Sequence, residues 1–256
     1  MRQRGTQLNG KVAVVTGGSR GIGAAVVKMF WQAGARVVFN YYKDRRAAEK
    51  LARSCEPSEV VAMQADVRRM ADAKKLIETT VERFGKLDIL VANAGIWPAQ
   101  ESPIEKMSER EWDEMIDINL KGVYTVTHFA VKQMKKQQSG RIIAISSTAG
   151  QRGESMHAHY AASKGGIISF VKGLSTELAP FHILVNCVAP GWVDTDMSRP
   201  VLENPAEAAK VYSAIPLRRV ARPEEIAGPV LFLAGELATF ITGEILNVNG
   251  GAVLAG

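Results

Sequence analysis

Tyr160 and Lys164 stand four residues apart in the run YAASK, and Ser147 precedes the tyrosine by thirteen residues. On a helix, residues at this spacing share one face, so phenol and ammonium can enter the same cleft. A free tyrosine has a pKa of about 10 and shuttles protons poorly at neutral pH. Lowering it by roughly 2–3 units takes about 3–4 kcal/mol. An ammonium about 5 Å away supplies roughly 3 kcal/mol at an effective dielectric near 20. The pattern therefore predicts an acid/base tyrosine held acidic by its lysine. Ser147 can donate a hydrogen bond to an oxygen that gains negative charge. Seen singly, Tyr-x-x-x-Lys also fits an amphipathic surface helix, and Ser146-Ser147 a strand end capped by hydroxyls.

Far upstream, Thr16-Gly17-Gly18-Ser19-Arg20-Gly21-Ile22-Gly23 closes an apolar strand and opens a helix. Gly17, Gly21 and Gly23 let the backbone turn tightly and approach a pyrophosphate. The helix offers unpaired N–H groups and its positive dipole end to the phosphates. The spacing differs from the usual G-x-G-x-x-G fingerprint, and a plain strand-to-helix turn is the bland alternative. Its place between the first strand and the first helix favours a dinucleotide site. Hydride transfer to a carbonyl needs both a bound nicotinamide and a proton donor, and this chain offers a place for each. An oxidised nicotinamide would add its charge to that of the lysine. NAD-selective sites usually place a carboxylate after the second strand. This chain has Asn40-Tyr41-Tyr42-Lys43 there. Arg20 and Lys43 could pair with a 2′-phosphate, Arg20 bidentately. NADP(H) is the expected cofactor, with NAD(H) possible.

These residues need a scaffold that aims them. Apolar runs predict strands at Lys11–Thr16, Arg36–Asn40, Val60–Gln64, Leu87–Ala92, Arg141–Ser146, Ile183–Val188 and Glu244–Val248. Helical spacing predicts helices over 21–33 (stopped by Gly34), Lys43–Ser54, 70–84, 108–137, 157–179 and Pro223–Ala234. Such alternation implies βαβ units and a parallel sheet covered on both faces, in a Rossmann-like, doubly wound α/β arrangement. Without linker, repeat or low-complexity tract, one domain over 1–256 is expected. In 191–222, Pro200, Pro205 and Pro216 interrupt the alternation. This stretch is expected to be a substrate-side insertion over the carboxyl ends of the strands.

Composition fits a globular chain, 46% hydrophobic and 23% charged in 256 residues. No apolar run reaches the roughly 18–20 residues of a membrane helix. The polar start, Met1–Gln7, lacks the apolar stretch of a secretory leader. Cys55 and Cys187 lack disulfide or metal-ligand spacing, and Cys187 is expected to be a small buried hydrophobe. A cytoplasmic setting and no resident metal follow as expectations. The net charge of +6 (pI near 9.3) comes from scattered basic residues rather than a nucleic-acid stripe. His157 and His159 are expected at the surface of a loop or helix start, with a substrate contact as the lesser alternative. Trp97, Met156, Trp192 and Met197 could form an apolar substrate wall or core packing.

Taken together, the motifs resemble the short-chain dehydrogenase/reductase family along nearly the whole chain. They are TGGSRGIG (16–23), Asp66-Val67, Asn93-Ala94-Gly95, Asn119 in INLKG, Ser147, YAASK (160–164) and PGWVDT (190–195). The resemblance implies an NADP(H)-dependent oxidoreductase acting on a carbonyl or secondary alcohol, with Asn119, Ser147, Tyr160 and Lys164 as its catalytic set. Asn119 would support a water-mediated proton path through the lysine. Ser19, Arg20 and Ile22 would join the glycines around the phosphates. Asp66 and Val67 would hold the adenine, with Asn40 and Tyr41 nearby. Asn93, Ala94 and Gly95 would line the cofactor side of the fourth strand. Tyr160 and Lys164 would reach the nicotinamide ribose, and Pro190, Gly191, Val193 and Thr195 the carboxamide and phosphates.

Within the family the pattern is most similar to 3-oxoacyl-acyl-carrier-protein reductases, with Asn40-Tyr41 and GEILNVNGGA as partial support. That subfamily docks an acidic carrier protein through basic residues near the active-site rim. Here Gln137-Gln138 follow Lys135-Lys136, and Phe181-His182 stand where a basic residue is expected. A small ketone, sugar or steroid-like substrate therefore stays open. The resemblance also implies a homotetramer built on the helices 108–137 and 157–179 and the apolar carboxyl end.

Overall fold

The computed structural model describes residues 7–254, so Met1–Thr6 of the polar start lie outside it. The first half alternates β1 (Val12–Val15), α1 (Gly21–Gln32), β2 (Arg36–Tyr41), α2 (Arg45–Ser54), β3 (Val60–Gln64), α3 (Met70–Phe84) and β4 (Ile89–Ala92). Then come α4 (Glu109–Ile116), α5 (Gly122–Gln137), β5 (Gly140–Ile145), α6 (Ala149–Arg152), α7 (Ala158–Leu178) and β6 (Ile183–Pro190). The chain closes with α8 (Arg199–Leu202), α9 (Pro205–Ala214), α10 (Pro223–Ala234) and β7 (Ile245–Val248). All seven strands pair in parallel in the order β3-β2-β1-β4-β5-β6-β7, the doubly wound sheet read from the sequence. Among the described residues no helix is long and apolar enough to cross a membrane.

Strand residues alternate between two cores. Ala13, Val15, Val37, Phe39, Ile89 and Val91 face α1, α2 and α10, where Val26, Phe30, Leu51, Ile226 and Val230 complete one layer. Val14, Val38, Leu90, Ile142 and Val185 face α3, α5 and α7, against Leu76, Val126, Met134, Ile167 and Val171. With both faces covered, the polar crevice opens only where the strands end.

Three differences from the sequence reading bear on the site. The predicted helix 108–137 begins at a capping box, Ser108 with Glu111, but is not uniform. Asp117–Lys121 forms a π turn between α4 and α5, and Asn119 lies inside it, fully buried. Within 191–222 the chain forms two helices, and Pro200 and Pro205 sit in the first turns of α8 and α9. At that position a missing N–H costs nothing and the fixed φ suits the helix. Lastly, α6 was not foreseen. A Cβ on its Gly150 would lie 2.5 Å from the Lys164 carbonyl carbon, so α6 packs directly on the α7 backbone.

Candidate active site

The glycine loop and the turn after β4 are stapled together at the crevice between β1 and β4, where the strand order reverses. Thr16 Oγ1 accepts from the N–H groups of Asn93 (2.9 Å) and Ala94 (3.0 Å). Asn93 Nδ2 donates to the carbonyls of Thr16 (2.9 Å) and Gly17 (3.2 Å). Asn40 braces the same loop: its Oδ1 accepts from Gly17 N at 2.9 Å, and its Nδ2 donates to Ala65 O at 2.8 Å. Both amides are thus spent on backbone. Gly17 takes φ +64°, and a Cβ there would stand 2.9 Å from Ala94 Cα. At Gly23 a Cβ would meet Gly17 O at 2.2 Å. Thr195 lies over the loop, its Cγ2 3.2 Å from where a Gly21 Cβ would sit. The first N–H groups of α1, from Gly21, Ile22 and Gly23, have no acceptor within the helix. Bare backbone, free donors and the N-terminal dipole fit a dinucleotide pyrophosphate.

At the adenine end the strand pleat decides which ring is presented. Tyr41 is buried, its hydroxyl accepting from Arg45 Nε at 3.3 Å, whereas Tyr42 is 49% exposed. The accessible ring at this strand end is therefore that of Tyr42. Arg68, overlooked in the sequence, lies over the Tyr42 ring (5.4 Å to the centroid), with Lys43 Nζ 5.5 Å from the same centroid. Arg68 holds Asp66 in a forked pair, Nη2–Oδ2 2.7 Å and Nε–Oδ1 2.9 Å. The guanidinium keeps the Asp66 carboxyl below its usual range. Val67 is buried, its carbonyl taken by Thr125 Oγ1. Arg20 is the exposed N-cap of α1.

The acid/base group gathers at the carboxyl ends of β4 and β5. The Ser147 hydroxyl lies close enough to the Tyr160 phenol to favour its ionised form, and Lys164 Nζ lies 5.8 Å from the tyrosine ring centroid. Ser146 instead turns inward, its Oγ donating to Lys164 O at 2.8 Å. Asn119 Oδ1 accepts from Ile96 N at 2.8 Å, and its Nδ2 donates to Ile96 O (3.0 Å) and Ser163 Oγ (3.1 Å). Gly95 separates amide and ammonium: a Cβ there would be 3.2 Å from Asn119 Oδ1 and 3.4 Å from Lys164 Nζ. Pro190 O receives Thr148 N at 3.0 Å, and Gly191 N reaches Val248 O at 3.1 Å, fixing the next strand end. Buried Val193 bridges to Ala221.

One expectation is overturned. The phenol is not held acidic: burial pushes Tyr160 up to about 12, Glu154 adds to that, and the Ser147 hydroxyl only partly opposes it. Lys164 Nζ is drawn to Ile145 O at 2.9 Å, and burial pushes it down to about 8. Desolvation outweighs the simple ion–phenol attraction.

Lys164 is therefore a stability cost. Its folded pKa lies below the unfolded 10.5, so folding opposes the charged form. The penalty is complete below pH 8, roughly 3 kcal/mol at 1.36 kcal/mol per unit. It fades as pH rises from 8 to 10.5. Lys164→Met is expected to raise the thermal midpoint at pH 7, with the gain shrinking toward pH 10. Thermal melts of both proteins at pH 7, 8.5 and 10 check this, and a lower midpoint for the variant at pH 7 refutes it.

His157 and His159 are not surface residues, at 6% and 2% exposure. Trp97 stacks on His157, and α4 brings Glu111 close enough to act on His159. Met156 and Met197 are exposed, whereas Trp97 and Trp192 pack edge to face. Cys187 is buried, as expected of a small hydrophobe.

The family model described as Enoyl-(Acyl carrier protein) reductase matches residues 17–253. The chain belongs to the short-chain dehydrogenase/reductase family. It is 41% identical to a 3-oxoacyl-[acyl-carrier-protein] reductase of Synechocystis, over 97% of this chain and 99% of that protein. It is 38% identical to the Thermotoga maritima enzyme of the same name, FabG, over 97% and 100%. Among solved structures, gox2181 superposes with a TM-score of 0.93 at 34% identity, covering 96% of this chain and 97% of that one. A Brucella melitensis protein titled short-chain dehydrogenase/reductase SDR:Glucose/ribitol dehydrogenase gives 0.90 at 35% identity, covering 97% and 99%. This short-chain dehydrogenase/reductase is an oxidoreductase that moves hydride between a nicotinamide cofactor and a carbonyl or secondary alcohol.

Proposed function

We propose that this enzyme reduces a carbonyl to a secondary alcohol with NADPH, Tyr160 being the proton donor. The observation that carries this is the Ser147 hydroxyl beside the Tyr160 phenol with Lys164 Nζ 5.8 Å from the tyrosine ring centroid. When bound, the reduced nicotinamide supplies the hydride. Ser147 and Tyr160 hold the carbonyl oxygen between two hydroxyl donors and stabilise the charge it develops. A phenol raised to about 12 stays protonated at neutral pH, as an acid catalyst must. An alkoxide is a much stronger base than a phenolate, so the proton still moves downhill to the product. Lys164, still cationic below pH 8, then steadies the phenolate. Asn119, held in the π turn, fixes the backbone of Ile96 and supports a water-mediated proton path through Lys164, for which the missing Cβ of Gly95 leaves room.

Selectivity for NADPH rests on the lack of a carboxylate at the end of β2 and on the cations Arg20 and Lys43. Asp66 is already neutralised by Arg68, which leaves a net positive strand end. kcat/KM is expected to be at least about tenfold higher with NADPH than with NADH, about 1.4 kcal/mol of discrimination. A tenfold preference for NADH overturns this assignment.

The second reading is 3-oxoacyl-acyl-carrier-protein reduction, favoured by the names of the relatives. The altered basic residues weigh less against it than their sequence suggests. Gln137 bonds the backbone of Leu87, before β4, and Lys135 lies over Phe181, before β6. They therefore sit at the amino end of the sheet, opposite this chain's own catalytic cleft. A cytoplasmic homotetramer, each chain a single dinucleotide-binding and catalytic unit with 191–222 on the substrate side, completes the proposal.

A further inference from the structure

On the substrate side of Tyr160, the loops after β4, β5 and β6 bring together Trp97, Glu154, His157 and Trp192. Trp97 stacks on His157, centroids 5.1 Å apart and planes at 27°. Trp192 meets Trp97 edge on at 5.5 Å and 80°. Trp97 Nε1 donates to Glu154 Oε1 at 2.9 Å, and the same oxygen is 3.6 Å from His157 Nδ1. Glu154 is near enough to act on the Tyr160 phenol, which ties the cluster to the reacting group.

This wall has more hydrogen-bonding capacity than the protein uses. His157 is 6% exposed; its Nδ1 is 3.3 Å from Ser155 O, and its buried Nε2 has no partner among the described residues. Glu154 spends one oxygen on Trp97, and its side chain is 19% exposed. Native proteins rarely leave such atoms unpaired unless something else completes them. A simple acyl chain brings no hydroxyl to pair with them, and a phosphate on its carrier would meet the Glu154 carboxylate as a like charge. A compound with several hydroxyls can donate to Glu154, bond His157 Nε2 and lay its C–H face on an indole.

We infer that Trp97, Glu154, His157 and Trp192 form a subsite for a polyhydroxylated carbonyl compound of the sugar or ketose class. This rests on the reductase reading above. The carbonyl carbon takes the hydride and its oxygen the Tyr160 proton, giving a polyol while NADPH becomes NADP⁺; solvent then reprotonates the tyrosine.

The test uses the full chain, NADPH and three probes: D-xylulose, its deoxy counterpart pentan-2-one, and the acetoacetyl thioester of N-acetylcysteamine. kcat/KM is expected to be at least about tenfold higher for D-xylulose than for either other probe, as a hydrogen-bonding site discriminates against analogues lacking the hydroxyls. The ratio of kcat/KM for D-xylulose to that for pentan-2-one is expected to fall about tenfold or more in Glu154→Ala, a comparison that cancels the carboxylate's effect on Tyr160, with circular dichroism certifying the fold of the variant. Xylitol should quench tryptophan fluorescence in the wild type, and less so in Trp97→Phe. Turnover of pentan-2-one or the thioester equal to or better than D-xylulose overturns the subsite and leaves the reductase intact. If no carbonyl is reduced but xylitol still quenches through Trp97, the reductase reading falls and the subsite is supported. Neither turnover nor quenching overturns both.

Discussion

Replacing Tyr160 with phenylalanine is expected to lower kcat for carbonyl reduction by about 10²–10⁴-fold, the usual worth of a positioned general acid. Cofactor affinity, followed by NADPH fluorescence, is expected to stay nearly unchanged. The substitution removes one oxygen and keeps the ring that packs beside Lys164. It also frees Ser147 from the phenol, and that hydroxyl keeps its bond to Ala149 N at 3.1 Å. The loss should therefore fall on the chemical step and not on assembly of the cleft. Because the phenol is protonated at neutral pH, no compensating gain is expected on acidification. Near-normal turnover by the variant would remove Tyr160 from the mechanism.

The second large effect is expected at Gly23. An added methyl would stand 2.2 Å from Gly17 O and 2.7 Å from Asn93 Nδ2, too close for either neighbour to absorb without moving. Those two atoms belong to the staple between the glycine loop and the turn after β4, so Gly23→Ala should displace both loops at once. A displacement of about 1 Å can cost about 10²-fold where reacting groups must be aligned. NADPH Kd is expected to rise by about that factor and kcat/KM to fall at least as far. Fluorescence titration separates the two, and an unchanged Kd would falsify the pyrophosphate role of this turn.

Much of this was legible in the sequence because burial writes itself as period. The strands are apolar runs because parallel strands are covered on both faces, and their helices repeat at 3.6 residues. The residues later found in the cleft carried unusual types at fixed spacing. What escaped has physical reasons. Four residues, Ala149–Arg152, are too few to show periodicity, so α6 had no signal beyond Gly150 itself. Pro200 and Pro205 looked like breakers, although a proline in a first turn starts a helix. His157 and His159 read as surface by type; their burial comes from Trp97 and from α4, both distant in the chain. Arg68 gave no pattern, since Asp66 is an ordinary local partner two residues before it and Tyr42 meets it only when β2 and β3 align. The acidity of Tyr160 was misjudged because spacing gives the distance to a charge and not the water lost on burial.

The π turn at Asp117–Lys121 makes residue count itself a design parameter of this enzyme. Its five-residue loop of chain holds one residue more than an α turn would. Deleting a single residue there would let the helix close up into regular α turns, with α4 and α5 staying nearly in phase and the backbone slipping locally at Asn119. The fold's hydrophobic stripe could survive such a slip through repacking, whereas the Asn119 amide could not keep both its grip on Ile96 and its place beside Gly95. Insertions and deletions should thus be tolerated in the exposed loops but not within this one turn, where length is as strict a requirement as chemical identity.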